Sequence, residues 1–190
     1  FRRATRCSTY CAASETPIKF TSPTAAPTAR SMSTASTTST NLTAAGGPAG
    51  CTAAIAAARE GAKTLLIEAM GQLGGMGTAG MVPAWCPFSD GEKIIYKGLA
   101  EKIFRESMKG VSHEPENKLD WVSINPEYLM SIYDRMVTES GAKVLFFSRL
   151  AAVEMSSDDT IDAIIVSNKA GLVAFKGKAY ICLLYTSDAA

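Results

Sequence analysis

The sequence predicts an α/β fold: parallel strands alternating with helices, incomplete as a sheet, with a disordered N-terminal segment and a small antiparallel β hairpin. Three observations predict it. A glycine-rich turn at residues 45–50 opens an alanine-rich helical stretch. Apolar runs at 62–68 and 142–148 each follow a helical pattern and a glycine, the rhythm of buried parallel strands. Residues 161–167 and 172–178 read as two further strands around Asn168-Lys169-Ala170-Gly171.

Composition narrows the function classes. A chain of 190 residues has the length of one domain, and at 47% hydrophobic it can bury a core. Its net charge of +1 argues for no nucleic-acid partner. No apolar run is long enough to suggest a membrane partner. The cysteines are Cys7, Cys11, Cys51, Cys86 and Cys182, without a C-x-x-C pair, and His113 is the only histidine. That set offers no zinc site, so no metal is expected. An odd, widely spaced set of thiols suits a reducing compartment, which makes the cytoplasm the default location.

Residues 1–44 differ from the rest. Eighteen of these 44 are Ser or Thr, and Glu15 is the only acid. Such a segment cannot bury enough surface to offset its ordering entropy, and it is expected to be disordered. Its composition also fits a transit peptide or the translation of a wrong reading frame.

Next comes Ala45-Gly46-Gly47-Pro48-Ala49-Gly50, a tight turn that opens a helix of small side chains ending near Gly61. Residues 62–68 then read as a buried strand ending in Glu68. Each part has a task in dinucleotide binding. Glycines let backbone approach a pyrophosphate, and the helix N-terminus offers it unpaired N–H groups and partial positive charge. The terminal acid accepts from ribose hydroxyls. Gly50 and Glu68 lie 18 residues apart, near the expected spacing of about 20. The competing reading is a plain glycine loop with a solvated acid. Two departures stand out: Ala45 occupies the fingerprint's first glycine position, and residues 39–44 do not read as the hydrophobic strand that should precede the turn. Polar side chains there would seek partners inside the core, which is the reason to suspect a frame error upstream of Gly46.

Gly46-Gly47-Pro48-Ala49-Gly50, Leu66-Ile67-Glu68 and Leu73-Gly74-Gly75-Met76-Gly77-Thr78-Ala79-Gly80 together resemble the FAD-dependent oxidoreductase family with the glutathione-reductase-type flavin fold, over about residues 46–181. The resemblance implies a Rossmann-like FAD/NAD(P)-binding domain and FAD as cofactor. It places the pyrophosphate on Gly46, Gly47, Pro48, Ala49 and Gly50, and the adenosine ribose on Glu68. Gly74 and Gly75 match the pair that lies against the diphosphate and ribityl chain. An extended FAD must cross backbone without side chains, and Gly71, Gly74, Gly75, Gly77 and Gly80 leave such a surface; NAD alone would not require it. In the family the turn after the third strand contacts adenine through its backbone, and Leu150 is the matching position.

The remaining elements follow in order. Cys86 reads as a small packing residue rather than a redox thiol. Ile94 to Ser107 reads as a helix with Ile95, Leu99, Ile103 and Phe104 on one face. His113 falls in a polar loop. Pro126 starts a second amphipathic helix that stops before Gly141. Residues 178–181 begin another core strand. Residues 182–190, Cys-Leu-Leu-Tyr-Thr-Ser-Asp-Ala-Ala, resemble a translated sequencing adapter and are set apart from the fold. The domain is thus expected at 45–181, as part of a longer flavoprotein.

The function implied is flavin-mediated redox of an unidentified small-molecule substrate, with no catalytic residue assigned and the fragment alone inactive. Two alternatives stay open: a non-catalytic NAD- or ADP-binding module, and a truncated product without function.

Overall fold

The computed structural model describes residues 33–34, 41–86 and 89–184. Most of the segment expected to be disordered, and residues 185–190 of the adapter-like tail, lie outside the described residues.

Helix α1 (Pro48–Arg59) forms as its small residues dictate. Proline at its first position gives up an N–H that has no partner there anyway. After its last turn Gly61 adopts φ +83°, donating to Ala58 O at 3.0 Å. The helix buries Gly50, Cys51, Ala54 and Ile55.

Four strands make a parallel sheet: β2 (Asn41–Ala44), β3 (Thr64–Ile67), β4 (Lys143–Leu145) and β8 (Ala179–Cys182), in the order β4-β3-β2-β8. Alternation divides their side chains between two cores. Leu66 packs with Cys51, Ala54 and Ile55 of α1 and with Ile103 and Tyr133 of two further helices. Leu42, Leu65 and Ile67 face the other way, onto Ile164, Val166, Val173 and Phe175 of a second sheet. That sheet has the order β1-β7-β6-β5, from β1 (Ser33–Thr34), β5 (Arg149–Ser157), β6 (Thr160–Asn168) and β7 (Gly171–Phe175). The result is three layers: antiparallel strands, parallel sheet, helices.

β2 corrects the expectation that no strand precedes the turn. Its backbone pairs with β3 on one side and β8 on the other. Ladder bonds on both edges, with Leu42 and Ala44 filling one face, hold it in the sheet interior. The anticipated polar cost is present all the same: Asn41 Oδ1 and Thr43 Oγ1 are buried and have no hydrogen-bond partner among the described residues.

Other boundaries shift for local reasons. Helix α2 spans Leu99–Met108 rather than starting at Ile94, because Gly98 at φ +70° breaks the turn before it. Ile94 is buried apart, with Phe104, Val111 and Val122, while Ile95 is exposed. Helix α3 (Pro126–Glu139) begins where expected, with the Asn125 side chain accepting from Tyr128 N. The expected strand 142–148 shortens to β4, and Arg149–Ser157 forms an unforeseen edge strand beside the β6–β7 hairpin. Ser33–Thr34 pairs in parallel with β7, so these two residues of the N-terminal segment are ordered strand. Cys182, set apart with the tail, is the last residue of β8, and Leu183 N donates to Ala44 O at 3.0 Å.

Candidate functional site

The turn after β2 is shaped by backbone crowding. A Cβ on Gly50 would stand 1.6 Å from Ala45 O, so no other residue fits there. Ala45 itself sits at φ +94°, a conformation favouring the glycine that the fingerprint calls for. Cys51, directly after the turn, is fully buried, and its thiol donates to Gly46 O at 3.1 Å. Burial pushes that thiol up to about 12, so it stays protonated and pins the turn from below. No motif or spacing signals this role.

The start of α1 carries no side-chain cap. Gly47 is its N-cap, and the first turn holds no acidic residue. The first amides of a helix have no partner within it. A Cβ on Gly47 would meet nothing within 4 Å, and Pro48 and Ala49 are exposed.

Glu68 and the second glycine cluster close around this turn. Glu68 lies just past the end of β3, and its Oε2 accepts from Gly46 N while its Oε1 accepts from Met70 N at 2.7 Å. A carboxylate has about four acceptor positions, so two remain for a ligand diol. Gly74 N donates to Gly46 O at 2.8 Å, tying one glycine segment to the other. Gly75, at φ +56°, opens a 3₁₀ turn (Gly75–Gly77), and a Cβ on it would stand 3.0 Å from Gly47 Cα. Thr78 Oγ1 caps Leu73 O at 2.6 Å and steadies the loop.

The structure therefore brings together Gly46, Gly47, Pro48, Ala49, Gly50, Glu68, Gly74 and Gly75. Leu150 lies on β5 opposite Val166, its side chain half-buried against the core between the sheets. Cys86 and His113 are exposed. Among the described residues no group of three potential ligands converges on a metal position, and no helix is long and apolar enough to cross a membrane.

An uncapped helix N-terminus, bare backbone at Gly47 and an adjacent acid with spare acceptor positions fit the pyrophosphate and ribose of a dinucleotide. The family model described as FAD dependent oxidoreductase matches residues 44–182. Among solved structures, THI4 of Thermovibrio ammonificans superposes with a TM-score of 0.52 at 12% identity, covering 75% of this chain and 56% of that one. The open conformation of a flavocytochrome c3 fumarate reductase gives 0.54 at 15% identity, covering 78% and 34%. The 3-ketosteroid-delta4-(5alpha)-dehydrogenase of Rhodococcus jostii RHA1 gives 0.54 at 13%, covering 82% and 47%. The chain thus spans about a third to just over half of these structures. No curated protein sequence matches it. With most of its length matched by that family model, the chain belongs to the FAD dependent oxidoreductase family, whose cofactor is FAD.

Proposed function

We propose that the chain supplies the ADP-binding part of a glutathione-reductase-type flavoenzyme that oxidises or reduces a small molecule. The carrying observation is the contact of Gly75 with Gly47 beside Glu68, which joins two distant glycine segments into one side-chain-free surface. Along it, the α1 amides and Gly47 would hold the pyrophosphate, Glu68 the ribose, and Gly74 and Gly75 the start of the chain leading to the flavin. Bound FAD would supply the hydride chemistry. The residues named here bind and orient; substrate recognition and proton transfer are assigned to none of them. The unpaired thiols Cys51, Cys86 and Cys182 suit a reducing compartment such as the cytoplasm.

The test is flavin content after dialysis, read from visible absorbance. Glu68→Ala removes a charged acceptor and should weaken FAD by about 2 kcal/mol. Gly75→Val places branched carbons against Gly47 and should abolish uptake. Equal yellow colour in both variants would reject the assignment. Retained ADP or NAD binding without flavin uptake would favour a non-catalytic nucleotide-binding module.

A further inference from the structure

The loop that presents Gly75 to Gly47 is closed on itself. Gly75 O accepts from Gly80 N at 3.0 Å and from Thr78 N at 3.2 Å. Thr78 is 2% exposed, and its Oγ1 donates to Leu73 O at 2.6 Å. Gly75 O lies 3.3 Å from the same oxygen, but a hydroxyl has one proton and the shorter contact takes it. The buried hydroxyls of Thr64, Ser107 and Ser148 each donate to a carbonyl two or three residues back in the chain. Thr78 reaches five residues back, across the glycine pair. Its methyl has a place too. A Cβ on Gly74 would stand 2.5 Å from Thr78 Cγ2 and 2.9 Å from Tyr133 Cδ2. Thr78 and Tyr133 thus form a floor under Gly74, and Gly47 stands beside Gly75.

The hydroxyl controls the shape of this surface. The Leu73 side chain is buried, and without Thr78 Oγ1 its carbonyl would be an unmatched acceptor. The least costly relief is for the Leu73–Gly75 peptides to rotate towards solvent. Glycine at Gly74 (φ +98°) and Gly75 (φ +56°) permits that rotation. It would lift Gly75 off Gly47 and turn a carbonyl into the path that leaves the pyrophosphate turn. We propose that Thr78 is a positioning residue for FAD: its hydroxyl holds the glycine loop down, so that the part of the cofactor beyond ADP meets a continuous surface. This rests on the dinucleotide reading above and assigns a role to a side chain that touches no ligand.

The experiment is equilibrium binding of FAD and of ADP to the full chain, with each variant read as the ratio of the two affinities. ADP ends at the turn and Glu68, whereas FAD continues over Gly74 and Gly75. Thr78→Val keeps the branched shape and removes the hydroxyl. It should weaken FAD by about tenfold and leave ADP unchanged. Thr78→Ala, which removes the hydroxyl with less crowding, stands in if Thr78→Val does not fold. Thr78→Ser keeps the hydroxyl and drops the methyl, so its melting temperature should fall while its FAD-to-ADP ratio stays that of the wild type. A general loss of stability weakens both ligands alike, so a packing role would not move the ratio. An unchanged ratio in the variants without the hydroxyl, or a lowered ratio in Thr78→Ser, overturns the proposal while leaving the dinucleotide site standing. Wild-type protein that binds neither ADP nor FAD overturns both.

Discussion

Ala45 holds a backbone angle, φ +94°, that its Cβ resists. The departure from the glycine fingerprint visible in the sequence is thus a departure from what the geometry favours. Glycine visits this region without steric cost, whereas other residues lose roughly 1 kcal/mol or more. Ala45→Gly should therefore stabilise the fold by about 1 kcal/mol, read as a higher urea midpoint at unchanged slope; an unchanged or lower midpoint would mean the turn relaxes elsewhere. At this scale legibility tracks chemistry that repeats. The places of Gly47 and Gly50 at the start of α1 and of Glu68 just past β3 were legible because the fingerprint fixes their spacing. Cys51 was hidden because its partner, Gly46 O, is a backbone atom.

Among the elements, β2 carries the sharpest conflict between residue type and position. Thr43 is fully buried in the central strand, and its Oγ1 has no partner among the described residues. A hydroxyl buried without a hydrogen bond costs about 1–3 kcal/mol in mutational series. Thr43→Val keeps the branched shape and removes the hydroxyl. It should raise stability by about 1–2 kcal/mol, measured by denaturant unfolding; a loss of stability would mean that the hydroxyl finds a partner in solution. The same strand explains why sequence reading failed here. Hydropathy counts side chains, while β2 is held by ladder bonds to both neighbours, which any residue except proline can supply. β5 escaped for the opposite reason: as an edge strand it is almost wholly exposed and shows no buried period. Helix α1 was legible from its glycine turn and run of small residues, and α3 from its amphipathic period and proline start. The start of α2 was misplaced because Ile94 is buried in a separate cluster.

Across the whole molecule, the surface assigned to the cofactor is assembled from segments far apart in the chain: the turn at 45–50, Glu68 and the loop at 74–75. What joins them is tertiary: Gly46 N to Glu68 and Gly74 N to Gly46 O. An unfolded chain keeps none of these bonds and has no continuous surface to offer. A ligand that binds only the folded form stabilises it by about 2.7 kcal/mol at a hundredfold excess over its dissociation constant. For a domain of this size each kcal/mol moves the melting temperature by roughly 2–4 °C, so a shift on the order of 5–10 °C is expected with FAD or ADP. Differential scanning calorimetry reads it directly, and the shift should grow with the logarithm of ligand concentration. Glu68→Ala should need more ligand for the same shift, because it weakens binding without removing the layers. A wild-type melting temperature indifferent to both nucleotides would mean that these segments meet without forming a binding surface.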